Sequence, residues 1–343
     1  MATIKEVAAL AGVAPSTVSY VLSGSRKISD RTREAVHAAI AELGYYPRAS
    51  ARTLRGARTD VLVLAVPRRP GRARAVDGCF AIEVSDAARA HGYDVLMMTD
   101  RNGVDGLRRI ARSGLADAAV LMAVQEQDPR IDAVSELAFP TALIGHDDGC
   151  ALPAVDLDWE AAVRLAVRRT AEAGHRRMVF LASADHEIDS RRGYALRGLR
   201  GARKAARETG AEVRIHPSTG TAERLGALLR TALTTRPEPT ALVVQHLLLL
   251  PRLLEEVAAL GLRVPGDLAV VLVGSLPDDP VSGALPRIEL PVGRMAQEAV
   301  RLAVEAIDTG PDAPRDRGDA RQLIAPVMAP GAPVPPPPPG RTG

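Results

Sequence analysis

Residues 3–24 read TIKEVAALAGVAPSTVSYVLSG. Thr3-Ile4-Lys5-Glu6 is a capping box, in which the Thr3 hydroxyl accepts an early helix N–H and the Glu6 carboxylate reaches back to Thr3. A helix therefore starts here. Ile4, Val7, Ala8 and Ala11 share one face, and Gly12 permits the sharp turn that ends it. Pro15 suits the first position of a second helix, where its missing N–H costs nothing. Val18, Val21 and Leu22 then face inward, leaving Ser16, Thr17, Ser19 and Tyr20 outward. A third helix begins near Ser29, buries Val36, Ile40 and Leu43, and stops at Gly44. Two short helices joined by a glycine turn and braced by a third form the helix-turn-helix pattern, whose second helix enters the DNA major groove.

Charge supports a polyanion partner for this head alone. Residues 1–58 carry nine basic groups (Lys5, Arg26, Lys27, Arg31, Arg33, Arg48, Arg52, Arg55, Arg58) against four acidic ones (Glu6, Asp30, Glu34, Glu42), a balance of +5 within a chain of net charge +3. The remainder is −2, so the basic excess is confined to the start. With 343 residues and 46% hydrophobic composition, the chain is long enough for several cores. Its two cysteines, Cys79 and Cys150, lie far apart and have no metal or disulfide spacing, which suits a reducing compartment. The N-terminus lacks the pattern of a secretory leader, and no apolar run approaches the roughly 18 residues of a membrane span. A cytoplasmic protein without membrane contact is expected.

From residue 60 to about 328 the pattern changes. Apolar strand candidates fall at 61–66, 94–98, 118–122, 141–144, 178–182, 212–215, 241–244 and 268–273, with helical stretches such as Ile82–His91, Trp159–Ala173 and Leu247–Leu260 between most of them. Apolar strands with helical crossovers imply parallel sheets covered on both faces. Some 270 residues exceed one comfortable core, so two α/β lobes are expected. Residues 329–343, with Pro335–Pro339, read as an extended, disordered, proline-rich tail.

The string quoted above, followed by ISDRTREAVHAAIAELGYYP (28–47) and ARTLRG (51–56), resembles the N-terminal region of the LacI/GalR family of bacterial transcriptional repressors. GLADAAVLM (114–122), FPTALIG (139–145), AEAGHRRMVFLA (171–182) and LGLRVPGDLAVV (260–271) carry the resemblance to about residue 328. It implies an α/β architecture: a helix-turn-helix head at 1–46, a hinge at 47–59, and a periplasmic-binding-protein-like core at 60–328. The lobes would be 60–156 with 288–318, and 157–287 with 319–328. It further implies a homodimer on a pseudo-palindromic double-stranded operator, with a small-molecule effector in the cleft between lobes.

Carried over by position, Pro15, Ser16 and Tyr20 correspond to sites that read base edges. Thr17 and Ser19 fall where the family more often has phosphate contacts or packing, and Thr3, Ser23 and Arg26 complete the expected DNA-contacting set. Ala14 departs from the usual serine cap. In the hinge, Arg48, Arg52 and Arg55 correspond to phosphate or groove contacts, Ala51 to the small residue between paired hinge helices, and Leu54 to a wedge in the minor groove. A segment this short is expected to be disordered when free.

Effector positions depart further from the family. RRPGRARAVDGCF (68–80) keeps only Phe80 as an aromatic. Gly145-His146 replaces a usual Asp-Arg, Gln245-His246 replaces Asn-Asp, and Gly274-Ser275 replaces an acidic pair. Arg191, Arg192 and Arg197 compete for the place of an effector-clamping arginine, and Trp159 opens the helix after Asp158. The expected effector set is thus Phe80, His146, Trp159, Arg191, Arg197, Gln245, His246 and Ser275. Either the cleft takes an unusual ligand or the core no longer senses one. A third reading makes the cleft primary, as in a solute receptor.

Enzymatic chemistry finds no support. Asp185-His186-Glu187 with Asp189 is nearly consecutive rather than on one helix face, which does not suit a metal. Ser183 and Ser190 lack a nucleophile elbow, and GLRGAR (198–203) lies inside a helical pattern, not after a strand. No catalytic residue, metal or cofactor is expected.

Overall fold

The computed structural model describes residues 3–23, 26, 28–43, 58–67, 75–99, 103–218, 222–245, 250–277, 279–310 and 321–339. The chain divides into two units, one drawn mainly from the first 60 residues and one from Val61 onward.

In the first unit, α1 (Ile4–Leu10), α2 (Pro15–Ser23) and α3 (Asp30–Leu43) form the expected trio. The capping box is present: Glu6 N–H donates to Thr3 Oγ1 at 3.4 Å, and Thr3 N–H to Glu6 Oε2 at 2.7 Å. The Thr3 hydrogen bonds hold the Glu6 carboxyl below its ordinary pKa. Gly12 turns the chain at φ +65°, a left-handed conformation that costs glycine little. Val7, Ala8, Val18, Val36 and Ala39 make the miniature core, flanked by Ile4, Val21, Ile40 and Leu43. One expectation fails: Ser19 is buried, with 6% exposure. A helix crossing two others buries a stripe about 100° wide or more, and position 19 falls at its edge beside Val18.

The second unit holds two parallel sheets. Strands β1 (Val61–Ala65), β2 (Asp94–Met98), β3 (Ala118–Met122), β4 (Thr141–Ile144), β5 (Ala154–Leu157) and β11 (Arg321–Ile324) form the first, in the order β11-β5-β4-β3-β1-β2. Strands β6 (Arg177–Ala184), β7 (Glu212–Ser218), β8 (Ala241–Gln245), β9 (Ala269–Ser275) and β10 (Arg287–Glu289) form the second, in the order β10-β9-β8-β6-β7. Every pairing within them is parallel. The helix Val292–Thr309 returns to pack on β3, β4 and β5, while Trp159–Glu172 and Gly193–Thr209 pack together on the second lobe. Helices on both faces bury these strands from two sides, which explains their near-continuous apolar runs.

Two further expectations are corrected. Residues 319–328 do not all join the second lobe: Arg321–Ile324 pairs with Ala154–Leu157, covering an edge of β5 that would otherwise present unpaired backbone groups. Nor is the proline-rich stretch free where it is described. The N–H of Ala329 donates to the Arg287 carbonyl at 2.8 Å, and His175 Nε2 lies 2.8 Å from the Pro335 carbonyl oxygen. His175 is fully buried, and a proline carbonyl, which keeps its acceptor, satisfies its N–H. Residues 340–343 lie outside the described set.

Candidate nucleic-acid interface and inter-lobe cleft

On α2, Pro15 and Ser16 are exposed, while Thr17 and Tyr20 are half-buried. The outward face thus presents a hydroxyl at 16, a second at 17 and the Tyr20 phenol. The guanidinium carbon of Arg26 lies 5.7 Å from the Tyr20 ring centroid, within cation–π range. A positive charge therefore stands against the aromatic face of Tyr20. Thr3 is exposed but is engaged with Glu6. The Ser23 side chain, and Arg48, Ala51, Arg52, Leu54 and Arg55, lie outside the described residues, as does His246.

The cleft lies at the carboxyl ends of the strands, where open α/β sheets bind ligands. Its centre is Asp156, which interrupts the apolar strand β5 and is 2% exposed. Its Oδ1 accepts from Trp159 Nε1 at 3.0 Å, and its Oδ2 lies 3.0 Å from His146 Nδ1. Arg197, on the helix Gly193–Thr209, reaches across from the other lobe: its Nη2 donates to the His146 carbonyl at 2.9 Å, and its Nη1 stands 3.7 Å from Asp156 Oδ2. Burial lowers the pKa of this arginine, opposed by Asp156 and Asp148. Trp159 meets Tyr194 with ring centroids 5.8 Å apart and planes at 46°. Phe80 is buried in the same cluster.

The main chain also joins the lobes. Glu126 N–H donates to the Arg191 carbonyl at 2.9 Å, Gly193 N–H to the Val124 carbonyl at 3.1 Å, and Gln125 and Arg192 form an antiparallel bridge. Arg191 itself is exposed and pairs with Glu126. Arg192 is buried and donates to the Ala123 carbonyl. Of the three competing arginines, Arg197 faces Asp156 through its guanidinium.

Little space remains. The cavity among Phe80, Met122, His146, Asp156, Trp159 and Tyr194 has a volume of about 50 Å³, against roughly 300–1,000 Å³ for ordinary small-molecule sites. Gln245 is fully buried and donates through Nε2 to the Tyr194 carbonyl at 2.9 Å. Ser275, at the carboxyl end of β9, lines an adjoining cavity of about 300 Å³ that shares Val76 with the first and is closed by Val244, Pro251 and Asp279 of the second lobe. The structure thus brings Phe80, His146, Trp159 and Arg197 together, leaves Arg191 exposed beside Glu126 and Ser275 in the adjoining cavity, and adds Asp156 and Tyr194, which the sequence reading did not single out. The signal for Asp156 was available: a carboxylate inside AVDL, three residues before the only tryptophan.

Comparison with known proteins places this geometry. Residues 3–48 match the bacterial regulatory proteins of the lacI family, and residues 167–325 match a periplasmic binding protein-like domain. The chain is 31% identical over 313 residues to the HTH-type transcriptional regulator CelR of Thermobifida fusca, covering 89% of this chain and 92% of that protein. It is 27% identical to the HTH-type transcriptional repressor PurR of Yersinia pestis bv. Antiqua (strain Antiqua), over 90% and 91% of the two chains. Among solved structures, a transcriptional regulator CelR–cellobiose complex matches with TM-score 0.68 and 27% identity over 96% of this chain and 98% of that one. A lac repressor dimer bound to operator and the anti-inducer ONPF matches with TM-score 0.76 over 95% and 97%. Its identity of 21% makes that a likeness of fold.

Proposed function

The chain belongs to the lacI family of bacterial regulatory proteins, and on that premise we propose that it represses transcription as a homodimer on a pseudo-palindromic operator. The observation that carries this reading is the exposed face of Pro15–Ser23, held by a three-helix head that matches the family over residues 3–48. Each protomer places that helix in a major groove, where Ser16 and Tyr20 meet base edges and Thr17 and Arg26 meet the backbone. Thr3, Ser19 and Ser23 support the docking surface. The hinge, residues 47–59, folds against its twin on the operator, with Leu54 wedged in the minor groove, Ala51 at the helix–helix contact, and Arg48, Arg52 and Arg55 on phosphates. The head comprises 1–46 and the core 60–328. Among the described residues no helix is long and apolar enough to cross a membrane, and the protein acts where the chromosome is, in the cytoplasm.

In the core, Trp159, Tyr194, Arg197 and Gln245 fill the part of the cleft around Asp156. A sugar the size of cellobiose, found with a CelR relative, has no room in the cavity of about 50 Å³. The core therefore acts first as a dimerising scaffold whose lobes close on their own side chains. Any ligand entering between Phe80, His146 and Trp159 must displace them. Titrating the full chain into a labelled operator duplex, with and without a panel of sugars and nucleobases, tests both halves of this reading. Saturable, salt-sensitive binding that the panel leaves unchanged is the expected result. Sequence-independent binding contradicts the first half, and release by a sugar contradicts the second.

A further inference from the structure

A third cavity opens at the seam of the lobes, on the other side of His146 and Arg197 from the cavity at Asp156. Its volume is about 360 Å³, within the range of small-molecule sites. One wall comes from the helix Gly193–Thr209, where Arg197, Arg200 and Lys204 recur at spacings of three and four and so share a face. The opposite wall comes from the first lobe, with Arg321 at the start of β11 and Asp148 in the loop after β4.

Each of these cations faces a carboxylate, but the carboxylates are shared and several contacts are long. Glu160 serves Arg200 Nε and Lys204 Nζ, each at 3.4 Å, and Glu126 Oε1 stands 3.6 Å from Arg200 Nη1. Asp148 Oδ1 is close to Arg321 Nη1, at 2.9 Å, but 3.7 Å from Arg197 Nη2. Arg197 is 4% exposed, and its Nη1 is buried without a hydrogen-bond acceptor. A buried guanidinium with an unused donor is costly. Asp148, in contrast, is 59% exposed at its side chain and reaches in from the rim. Burial opposes its ionisation, yet Arg197, His146, Arg321 and Arg200 together hold its carboxyl below the ordinary range. A carboxylate on a loop already occupies part of a field built for an anion.

We propose that this seam is a binding site for a phosphate-type oxyanion, held by Arg200 and Lys204 of one lobe and Arg321 of the other, with Asp148 as a tethered competitor. Guanidinium forks grip a phosphate through paired N–H donors, and the volume leaves room for a phosphorylated metabolite rather than a bare ion. A ligand seated there touches both lobes, so it favours the closed arrangement by its differential affinity for that state.

Trp159, the only tryptophan, reports on the site, because its Nε1 bonds Asp156, which faces Arg197. Full-length protein is titrated with inorganic phosphate, with a hexose phosphate, with the unphosphorylated hexose, and with chloride at matched ionic strength. Tryptophan emission and thermal midpoint are followed. The expected result is saturable change with both phosphates and none with hexose or chloride. Tighter binding of the hexose phosphate identifies a phosphorylated metabolite as the ligand, and equal binding identifies the oxyanion alone. The pair Arg200→Gln and Lys204→Gln abolishes the response. Asp148→Asn strengthens it about three- to fivefold, the scale of one solvent-screened charge. The same response to chloride, or binding unaffected by these changes, overturns the proposal. Operator binding by the unaltered chain without phosphate tests the DNA-binding reading separately.

Discussion

Gln245 occupies the space that any side chain at Gly198 would need: a Cβ on Gly198 would stand 1.9 Å from Gln245 Oε1. Five residues earlier, a Cβ on Gly193 would meet Arg197 Nη1 at 2.2 Å. Two glycines on one helix thus make room for two polar side chains that fill the cleft from within.

Gly198→Ala should therefore displace Gln245 from the Tyr194 carbonyl and cost about 1–3 kcal/mol, as overpacking does. Thermal or urea unfolding measures the loss. Combining it with Gln245→Ala should recover part of that cost, because the clash then disappears. Strictly additive losses would show that the two residues do not compete for the space.

Asp156 joins His146, Trp159 and Arg197, so its removal takes the buried one of the two carboxylates that face Arg197. Asp156→Ala is expected to destabilise the core by about 3–5 kcal/mol, the scale for breaking a buried ion pair from one side. Trp159 emission should shift to the red as water enters the cleft. Unfolding that remains wild-type, with unchanged emission, would remove Asp156 from the centre of the network.

A phenol makes one hydrogen bond as donor and one as acceptor, and cannot grip guanine with the paired donors of arginine. Tyr20→Arg should accordingly change the base preferred in each half-site, and it also sets a like charge beside Arg26. Selection from a randomised duplex pool reads the preference. An identical consensus from variant and parent would confine Tyr20 to the DNA backbone.

Burial pushes the His175 pKa below its ordinary value of 6.5, with the Pro335 carbonyl opposing that shift. The unfolded chain then binds the proton more tightly, so stability is fully present above the ordinary value and declines as pH falls through the depressed one. His216 is shifted in the same direction by burial and Arg214, so the difference between variants is the informative quantity. His175→Gln should flatten the fall in thermal midpoint between neutral pH and about pH 5. An equally steep fall in the variant would show that His175 does not titrate on unfolding.

Much of this was legible in the residues. The capping box at Thr3, the glycine turn at Gly12 and the apolar spacing of Val7, Val18 and Val36 define the head, because local hydrogen bonds and helical period act within a few residues. The long apolar strands were equally plain. AVDL, RIE and RQLI escaped, since charged residues interrupt short strands whose identity depends on distant neighbours. The tail was misread for a related reason: proline content describes the free chain, whereas the docking of Pro335 depends on His175, 160 residues away. In the cleft, residue types marked the departure from a sugar site, but only packing revealed that Tyr194 and Gln245 fill it.

The central claim is that the head reads DNA as one half of a symmetric pair. Binding-site selection with the full-length chain on randomised duplexes, followed by anisotropy across a salt series, tests it most directly. The account predicts two inverted half-sites at fixed spacing and a log affinity that falls linearly and steeply with log salt. Enrichment of a single unpaired half-site, of no sequence at all, or affinity indifferent to salt would contradict it.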